Sequence, residues 1–350
     1  MTTRACMLGW LLLFGTAAFA RNPSPPGQPV HKDKPFKQDY SIKYVTPTDA
    51  RLSKVVCDRN GVIQIFSSEG LLRPYDGAFL YPGQLRPDKT YRPMQDKKIR
   101  DIGLCDGQLV YVDDMAVLSN AWAGRLYTRH DMPDVTLFSV APDLSSLISN
   151  GTALQYLRDG RRTWAWQGSS GEKVTDIQYD KSSNYFWVLT GNTLSIFKPA
   201  GNELRVLYKG NDITCFAPSG DGRTVLVGTH DGYITLDAAS GKPQGETRRK
   251  LPCPDISVIR VIDGQTWFGS ARGAFRLRKD GKYDYYASRR WLPSDKVADI
   301  AAGPAGSVLI LTDKGLGEIH FKDITLHDKA MFYEQQVRAR HIRVGFNATL

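Results

Sequence analysis

The sequence predicts an all-β protein, a seven-bladed β-propeller followed by a short C-terminal α-helix. Two observations predict this fold class. A pattern of short apolar runs separated by turns recurs seven times, and the 350-residue chain is rich in turn and aromatic residues, with 32 Gly and 11% aromatics. Apolar residues alternate within the runs, as in strands, whereas a helical repeat would space them three and four apart.

Each copy has an apolar run, a turn, a second apolar run, a second turn and a third run. The copies begin at Leu52, Ile99, Val135, Val174, Ile213, Ile256 and Val297. Their first turns are marked by Gly61, Gly107, Ser145, Asn184, Gly222, Gly264 and Gly306. The intervals between these marks are 46, 38, 39, 38, 42 and 42 residues. A period near 40 residues built from short strands is typical of propeller blades, whereas a leucine-rich repeat would be shorter.

The physics of one copy assigns its four strands, A to D from the inside outwards. Strand A comes first, and a Gly-containing hairpin leads to strand B, the most apolar run, because neighbouring blades cover both its faces. A second glycine makes the B–C turn. The outer strand D is a polar and aromatic tail, such as "RTWAWQ" or "KYDYYAS".

The two ends of the chain complete the predicted domain organisation. Residues 38–326 form the propeller, and "YSIKYV" at 40–45 is expected to supply the outer strand of the seventh blade, with "DITLH" at 323–327 as the alternative. Residues 327–350 form a C-terminal helix and tail. Its apolar stripe includes Ala330, Tyr333, Val337 and His341. We expect it to pack on the propeller rim or to connect to a further domain absent from this sequence.

The first twenty residues are predicted to be a secretory signal peptide. Arg4 supplies the positive charge, an apolar core follows, and Ala18-Phe19-Ala20 is a small-x-small cleavage site. Residues 21–37 hold five prolines and are expected to be a disordered leader. No other apolar run is long enough to span a membrane, so the exported protein, periplasmic or secreted, should lack an integral membrane segment.

Charge limits the class of partner. The chain carries +10, and removal of Arg4 with the signal peptide leaves +9. Outside the cytoplasm nucleic acid is not an expected partner. A basic surface there favours acidic glycans, anionic lipid headgroups or an acidic protein, or is only a solvated surface.

The cysteines and histidines indicate neither a cofactor nor a metal site. Cys57, Cys105, Cys215 and Cys253 remain after export, and their spacing includes no metal-binding pattern. We expect buried free thiols, with one disulfide as the open alternative. No Gly-x-Ser-x-Gly elbow, phosphate-binding loop or His-Glu-x-x-His motif is present.

Several copies also resemble a known repeat. "LPSDKVADI", "TWFGSARGAFRL" and "VLVGTHDGYITL" are similar to the two-component regulator propeller repeat, most clearly over residues 210–320. The resemblance implies an extracytoplasmic sensor module that recognises glycan fragments, often placed before a transmembrane helix and a histidine kinase. This sequence contains neither of those parts, so only the binding half of the family's function is expected here.

The candidate site lies where D–A and B–C loops gather around the mouth of the central channel, a surface called the channel face below. An arginine fork beside an indole suits a sugar carboxylate or sulfate, because the guanidinium binds the anion and the ring stacks on the sugar. The alternative is that Trp291 packs between blades and the arginines are solvated. The candidate ligand-binding residues are Arg289, Arg290, Trp291, Asp295, His230, Asp231, Arg272 and Lys314.

The sequence thus favours a binding or sensing module for an anionic saccharide or a protein partner. One rival is a propeller lyase or hydrolase acting on polysaccharides, with acid–base groups near the channel. A second rival is a scaffold at the N-terminus of a longer multidomain protein. No catalytic residue is assigned.

Overall fold

The structure, a computed structural model, describes residues 33–77, 82–88, 98–119, 127–169 and 171–339. The predicted signal peptide and leader residues 21–32 lie outside this part. The chain divides into two compact units: one is Lys37–Lys322, and the other combines the described parts of Met1–Phe36 and Asp323–Leu350.

The described part of the chain contains 29 strands. The first fourteen are β1 (Phe36–Lys37), β2 (Tyr40–Val45), β3 (Leu52–Cys57), β4 (Ile63–Ser67), β5 (Gly70–Tyr75), β6 (Gly83–Pro87), β7 (Asp101–Cys105), β8 (Gln108–Val112), β9 (Ala116–Ser119), β10 (Tyr127–Arg129), β11 (Leu137–Val140), β12 (Ser146–Ser149), β13 (Ala153–Arg158) and β14 (Arg161–Gln167). The others are β15 (Val174–Asp180), β16 (Tyr185–Thr190), β17 (Thr193–Lys198), β18 (Glu203–Lys209), β19 (Ile213–Pro218), β20 (Thr224–Thr229), β21 (Gly232–Asp237), β22 (Ile256–Ile262), β23 (Gln265–Ser270), β24 (Gly273–Leu277), β25 (Tyr283–Tyr286), β26 (Val297–Ala302), β27 (Val308–Thr312), β28 (Gly315–His320) and β29 (Asp323–Ile324).

These strands form a seven-bladed β-propeller, as predicted. Blades 1, 2, 3, 4 and 6 are antiparallel meanders of four consecutive strands, starting at β3, β7, β11, β15 and β22. Blade 5 has three regular strands, β19 to β21, and its outer position holds an irregular segment bridged at Tyr233–Arg248 and Leu236–Pro243. Each predicted first turn falls between strands A and B of its blade.

The N-terminal strand closes the ring. Strand β2 pairs antiparallel with β28 from Tyr40–His320 to Val45–Gly315, so it is the outer strand of blade 7, which confirms the predicted closure. The alternative segment instead forms β29, which pairs with β1 in a two-stranded sheet. Strand β1 lies within the stretch predicted to be disordered, so among the described residues the first strand begins at Phe36 rather than at residue 38.

The core lies between the blades. Seven clusters of buried apolar side chains are found in the described residues, one at each junction of neighbouring blades. The cluster between blades 6 and 7, for example, packs Trp267 and Tyr286 against Ile300 and Ile310. Strand B is buried on both faces, as expected: all five residues of β27 are buried.

One glycine has a strict steric role in ring closure. Gly315, the first residue of β28, has φ +144°, and a Cβ built on it would lie 2.0 Å from the carbonyl oxygen of Tyr44. The outer strand therefore approaches strand C as closely as the absence of a side chain allows.

The second unit contains one α-helix, α1 (Leu326–Arg338), in its described part. Its N-terminus has a capping box between Thr325 and Asp328, and Asp33 accepts the backbone N–H groups of Leu326 at 2.9 Å and His327 at 3.0 Å. No residue of α1 is buried, and Ala330, Tyr333 and Val337 of the predicted stripe are exposed, whereas His341 lies outside the described residues. Over the described ranges, the chain has no helix of the length and apolarity needed to cross a membrane.

Candidate functional site

Backbone hydrogen bonds join the D–A loops to the B–C turns. The N–H of Asp313 in the B–C turn of blade 7 donates to the carbonyl of Lys296 at 3.1 Å. Equivalent bonds join Ser68 to Arg51 at 3.0 Å and Gly191 to Lys173 at 2.9 Å. The two sets of loops thus lie side by side on one face, as the sequence predicted.

A recurring hydroxyl bond holds the B–C turns. In blade 6, the Ser270 hydroxyl donates to the carbonyl of Gly273 at 2.8 Å and accepts the N–H of Arg272 at 3.0 Å. The same turn-crossing bond is made by Ser67, Ser149, Thr229 and Thr312. The sequence signal is a Ser or Thr three or four residues before the residue whose carbonyl accepts the bond, which is usually Gly. This signal was missed from sequence. Residues carried by these turns are therefore held on a constrained backbone.

The connection between blades 6 and 7, loop 287–296, is anchored at both sides. Its Asp295 carbonyl accepts the N–H of Gly273 at 2.7 Å, and its Ser294 hydroxyl bonds to the carboxylate of Asp313. Within the loop, the Asp295 carboxylate accepts the N–H of Ser288 at 2.6 Å. Asp295, predicted to contact ligand, therefore stabilises the loop, and the loop joins the B–C turns of two blades.

The indole of Trp291 packs inside this arrangement. Its ring lies edge-on to Tyr286, with centroids 5.4 Å apart, and contacts the apolar cluster between blades 6 and 7. The guanidinium of Arg290 lies 4.3 Å from the indole centroid. Trp291 is thus half-buried with a cation over its ring, which matches the packing role that the sequence left open as the alternative.

Four predicted cations lie on this loop or on the adjoining turns of the channel face. Arg272, Arg289, Arg290 and Lys314 are exposed, and among the described residues none has a carboxylate within salt-bridge distance. The two adjoining acids form hydrogen bonds with serines, Asp295 with Ser288 and Asp313 with Ser294, and the four cations outnumber them. The loop and its flanking turns therefore present positive charge to solvent, which we call the basic platform.

The remaining predicted residues lie on blade 5 and form pairs of their own. The Nδ1 of His230 lies 2.9 Å from Asp255, and Arg249 Nε donates to Asp231 at 2.5 Å. The bond from Arg249 and a second from Thr229 lower the pKa of Asp231. Both predicted residues are exposed, but their charges are partly compensated, unlike those of the basic platform.

Ion pairs between innermost strands were missed from sequence. Lys54 of blade 1 binds Asp101 of blade 2 at 2.7 Å, and Arg260 of blade 6 binds Asp299 of blade 7 at 2.8 Å. Burial raises the pKa of Asp101, against the opposing effect of Lys54. The available signal was a charged residue near the start of the first apolar run: Lys54, Asp101 and Asp299 are the third residues of their copies, and Arg260 is the fifth of its copy. Because each ion links two blades, these groups stabilise the ring.

Within the described ranges, no group of three or more His, Cys, Asp or Glu residues could hold a metal ion. Cys57, Cys105, Cys215 and Cys253 are all free thiols, which excludes the disulfide alternative among them in this structure. Burial raises the pKa of Cys57 to about 11 and that of Cys215 to about 12, so both are protonated at neutral pH.

The fold and site define a seven-bladed β-propeller with a basic platform on one face. No family model matches the sequence, and no curated protein matches it. Solved propeller structures are similar to it in fold. A streptogramin B lyase structure aligns over 81% of this chain and 98% of its own, with TM-score 0.63 and 12% identity.

Two further structures are similar in fold. The extracellular domain of the putative one-component system BT4673 from B. thetaiotaomicron matches 80% of this chain with TM-score 0.60 and 17% identity, and this chain spans 39% of that one. The Neurospora crassa Pan2 WD40 domain matches 83% of this chain, and 96% of its own, with TM-score 0.58 and 12% identity. At these identities the likeness concerns the fold alone.

Proposed function

We propose that this protein is an exported binding module that recognises an anionic saccharide on its channel face. The observation that carries the proposal is the basic platform: four exposed cations stand on turns and a loop that are hydrogen-bonded to each other. A rigid cationic surface loses little conformational entropy when it binds an anion, because its backbone is already ordered.

The chemistry of the cations suits a carboxylate or sulfate. A guanidinium donates two parallel N–H bonds to such a group, and Arg272 and Arg289 are exposed for this geometry. Lys314 adds a point charge from the adjacent turn. Binding should therefore weaken as salt rises, because exposed charges are screened over about 10 Å at 0.1 M ionic strength.

The similarity to a sensor ectodomain supports the same class of function. The BT4673 structures are of extracellular domains of a putative one-component system and a putative hybrid two-component system. A similar fold thus occurs there in the extracellular domain of such a system. For this chain, a sensing role remains part of the proposal.

The test is binding of defined acidic oligosaccharides to the purified protein by calorimetry. Tetragalacturonate and a chondroitin sulfate tetrasaccharide present carboxylates and sulfates, and neutral maltotetraose is the uncharged comparison. We expect the double variant Arg289→Gln/Arg290→Gln to weaken acidic-sugar binding roughly tenfold or more, as for loss of charged hydrogen bonds. The matched control removes two arginines from the opposite face, Arg161→Gln/Arg223→Gln, and should bind like wild type.

The rivals give different results in the same experiment. Cleavage of either oligosaccharide would contradict the binding-module proposal and favour an enzyme. Binding of acidic polypeptides such as polyglutamate, with no binding of the charged sugars, would favour an acidic protein as the partner. Equal losses in both double variants would show that net charge, and not the basic platform, governs association.

A further inference from the structure

An exposed aromatic ring adjoins the basic platform at the turn that carries Arg272. Tyr285 lies in the outer strand of blade 6, one residue before the buried Tyr286, and its side chain is 45% exposed. Its hydroxyl donates to the backbone carbonyl of Arg272 in the B–C turn of the same blade. The phenol therefore reaches the channel face, which its position in strand D alone does not indicate.

The position of this ring depends on a glycine. A Cβ built on Gly273 would lie 3.2 Å from Tyr285 Cε2 and 2.5 Å from the carbonyl oxygen of Tyr286. The edge of the Tyr285 ring thus lies over the backbone of Gly273, where there is no side chain. The thiol of Cys253, from the loop before blade 6, approaches the same carbonyl of Arg272 at 3.7 Å. Three segments consequently fix the orientation of Tyr285.

The two aromatic candidates differ in what covers them. The indole of Trp291 is half-buried beneath Arg290. Among the ring contacts and cation–π contacts of the described residues, none involves Tyr285. An open ring bonded to the backbone of Arg272, whose guanidinium has no carboxylate within salt-bridge distance among the described residues, suits a sugar acid. The apolar face of the pyranose can stack on the ring and the acid group can bind the cation.

We propose that Tyr285 and Arg272 form the sugar-stacking subsite of this protein, with a uronate or sulfated pyranose as the ligand. The inference rests on the proposed function and specifies it, because it names the ring that distinguishes a saccharide from any other anion. Trp291 in this assignment supports loop 287–296 and does not touch the ligand. Desolvation raises the pKa of Tyr285 further above neutral pH, so its hydroxyl is protonated and available to donate to the carbonyl of Arg272.

The experiment compares three tyrosine variants for binding of tetragalacturonate and of polyglutamate. Tyr285→Ala removes the ring, Tyr285→Phe keeps the ring and loses the hydroxyl bond, and Tyr75→Ala removes an exposed tyrosine at the end of strand C, on the opposite face. We expect Tyr285→Ala to weaken tetragalacturonate binding roughly tenfold, and Tyr285→Phe by less than about threefold. Tyr75→Ala should not change it. Polyglutamate binding should be equal in all of them, because it needs only charge.

The outcomes separate this inference from the proposed function. Wild-type tetragalacturonate affinity in Tyr285→Ala, together with the loss in Arg289→Gln/Arg290→Gln, would overturn the stacking subsite and leave the basic platform as the site. Absence of binding of any charged sugar to the wild-type protein would overturn both. Thermal melting of each variant serves as the folding control, and a Tyr285→Leu variant replaces the alanine if that one unfolds.

Discussion

Asp299 accepts the backbone N–H of Val55 at 3.1 Å, although the two residues are 244 positions apart in the chain. The bond joins the inner strand of the last blade to that of the first. The other carboxylate oxygen of Asp299 binds Arg260 of blade 6 at 2.8 Å. One buried side chain thus links three blades at the point where the ring closes.

Replacement of Asp299 should destabilise the propeller strongly. Asp299→Ala leaves the buried N–H of Val55 and the guanidinium of Arg260 without their partner. We expect a loss of about 2–4 kcal/mol in the free energy of unfolding, at the lower end because Arg260 is partly exposed. Asp299→Asn keeps an acceptor oxygen and should cost less. Urea unfolding measures both.

The surface pair Arg162–Asp131 provides the control. Both side chains are largely exposed and 3.2 Å apart, so Asp131→Ala should cost less than about 1 kcal/mol. Equal midpoints for Asp299→Ala and Asp131→Ala would contradict the role given to Asp299.

Substitution of Gly315 should open the ring closure. In Gly315→Ala the new methyl group meets the carbonyl of Tyr44, and the residue keeps a φ that favours glycine. We expect a loss of roughly 2–4 kcal/mol from strain and lost pairing between β2 and β28. Gly264 also has a positive φ, +70°, but no atom lies within 4 Å of a Cβ built on it, so Gly264→Ala should cost only about 1 kcal/mol. Denaturant midpoints compare the two, and a larger loss at Gly264 would refute the steric argument.

Buried thiols should make the protein sensitive to alkali. Burial raises the pKa of Cys215 from 9.0 to about 12, so the folded state binds its proton more tightly than the unfolded state. The resulting stability is fully present below about pH 9 and is lost as pH rises towards 12. Cys215→Ala removes this contribution. Between pH 9.5 and 11, the unfolding free energy of the variant should fall less steeply than that of the wild type, by about 1.4 kcal/mol per pH unit. Parallel pH profiles of the two proteins would contradict the assignment.

Export should remove the first twenty residues. We expect the protein expressed with its own N-terminus to begin at Arg21, measured by intact mass. Substitutions of Ala18 and Ala20 by Phe should block processing, because the cleavage site needs small side chains, whereas Ala17→Phe should not. A mature protein that retains Met1 would exclude the signal peptide.

The fold could be predicted because its signals are local. Gly107 and Gly264 mark hairpins through the positive φ that each turn requires, and alternation marks the strands between them. The irregular outer edge of blade 5 gave no such signal. Two isolated bridges pair it with strand β21, Tyr233–Arg248 and Leu236–Pro243. Pro243 has no backbone N–H to donate to a regular strand pairing.

The positions of the candidate residues on loops and turns could be predicted from the sequence, but their contacts could not. Loop positions could be read from the repeat, so Arg272 and Lys314 were correctly expected on B–C turns. Whether Trp291 is covered depends on where the Arg290 side chain lies, and Tyr285 reaches the face through a bond to a backbone carbonyl. Such relations arise between segments and leave no pattern in the sequence of either one.

The measurement that tests the central claim most directly is hydrogen–deuterium exchange of the purified protein with and without tetragalacturonate. Amide protection on binding should increase in loop 287–296 and in the adjoining turns at 271–273 and 313–315, and the hairpins of the opposite face should not change. Protection confined to that opposite face would contradict a ligand site on the basic platform.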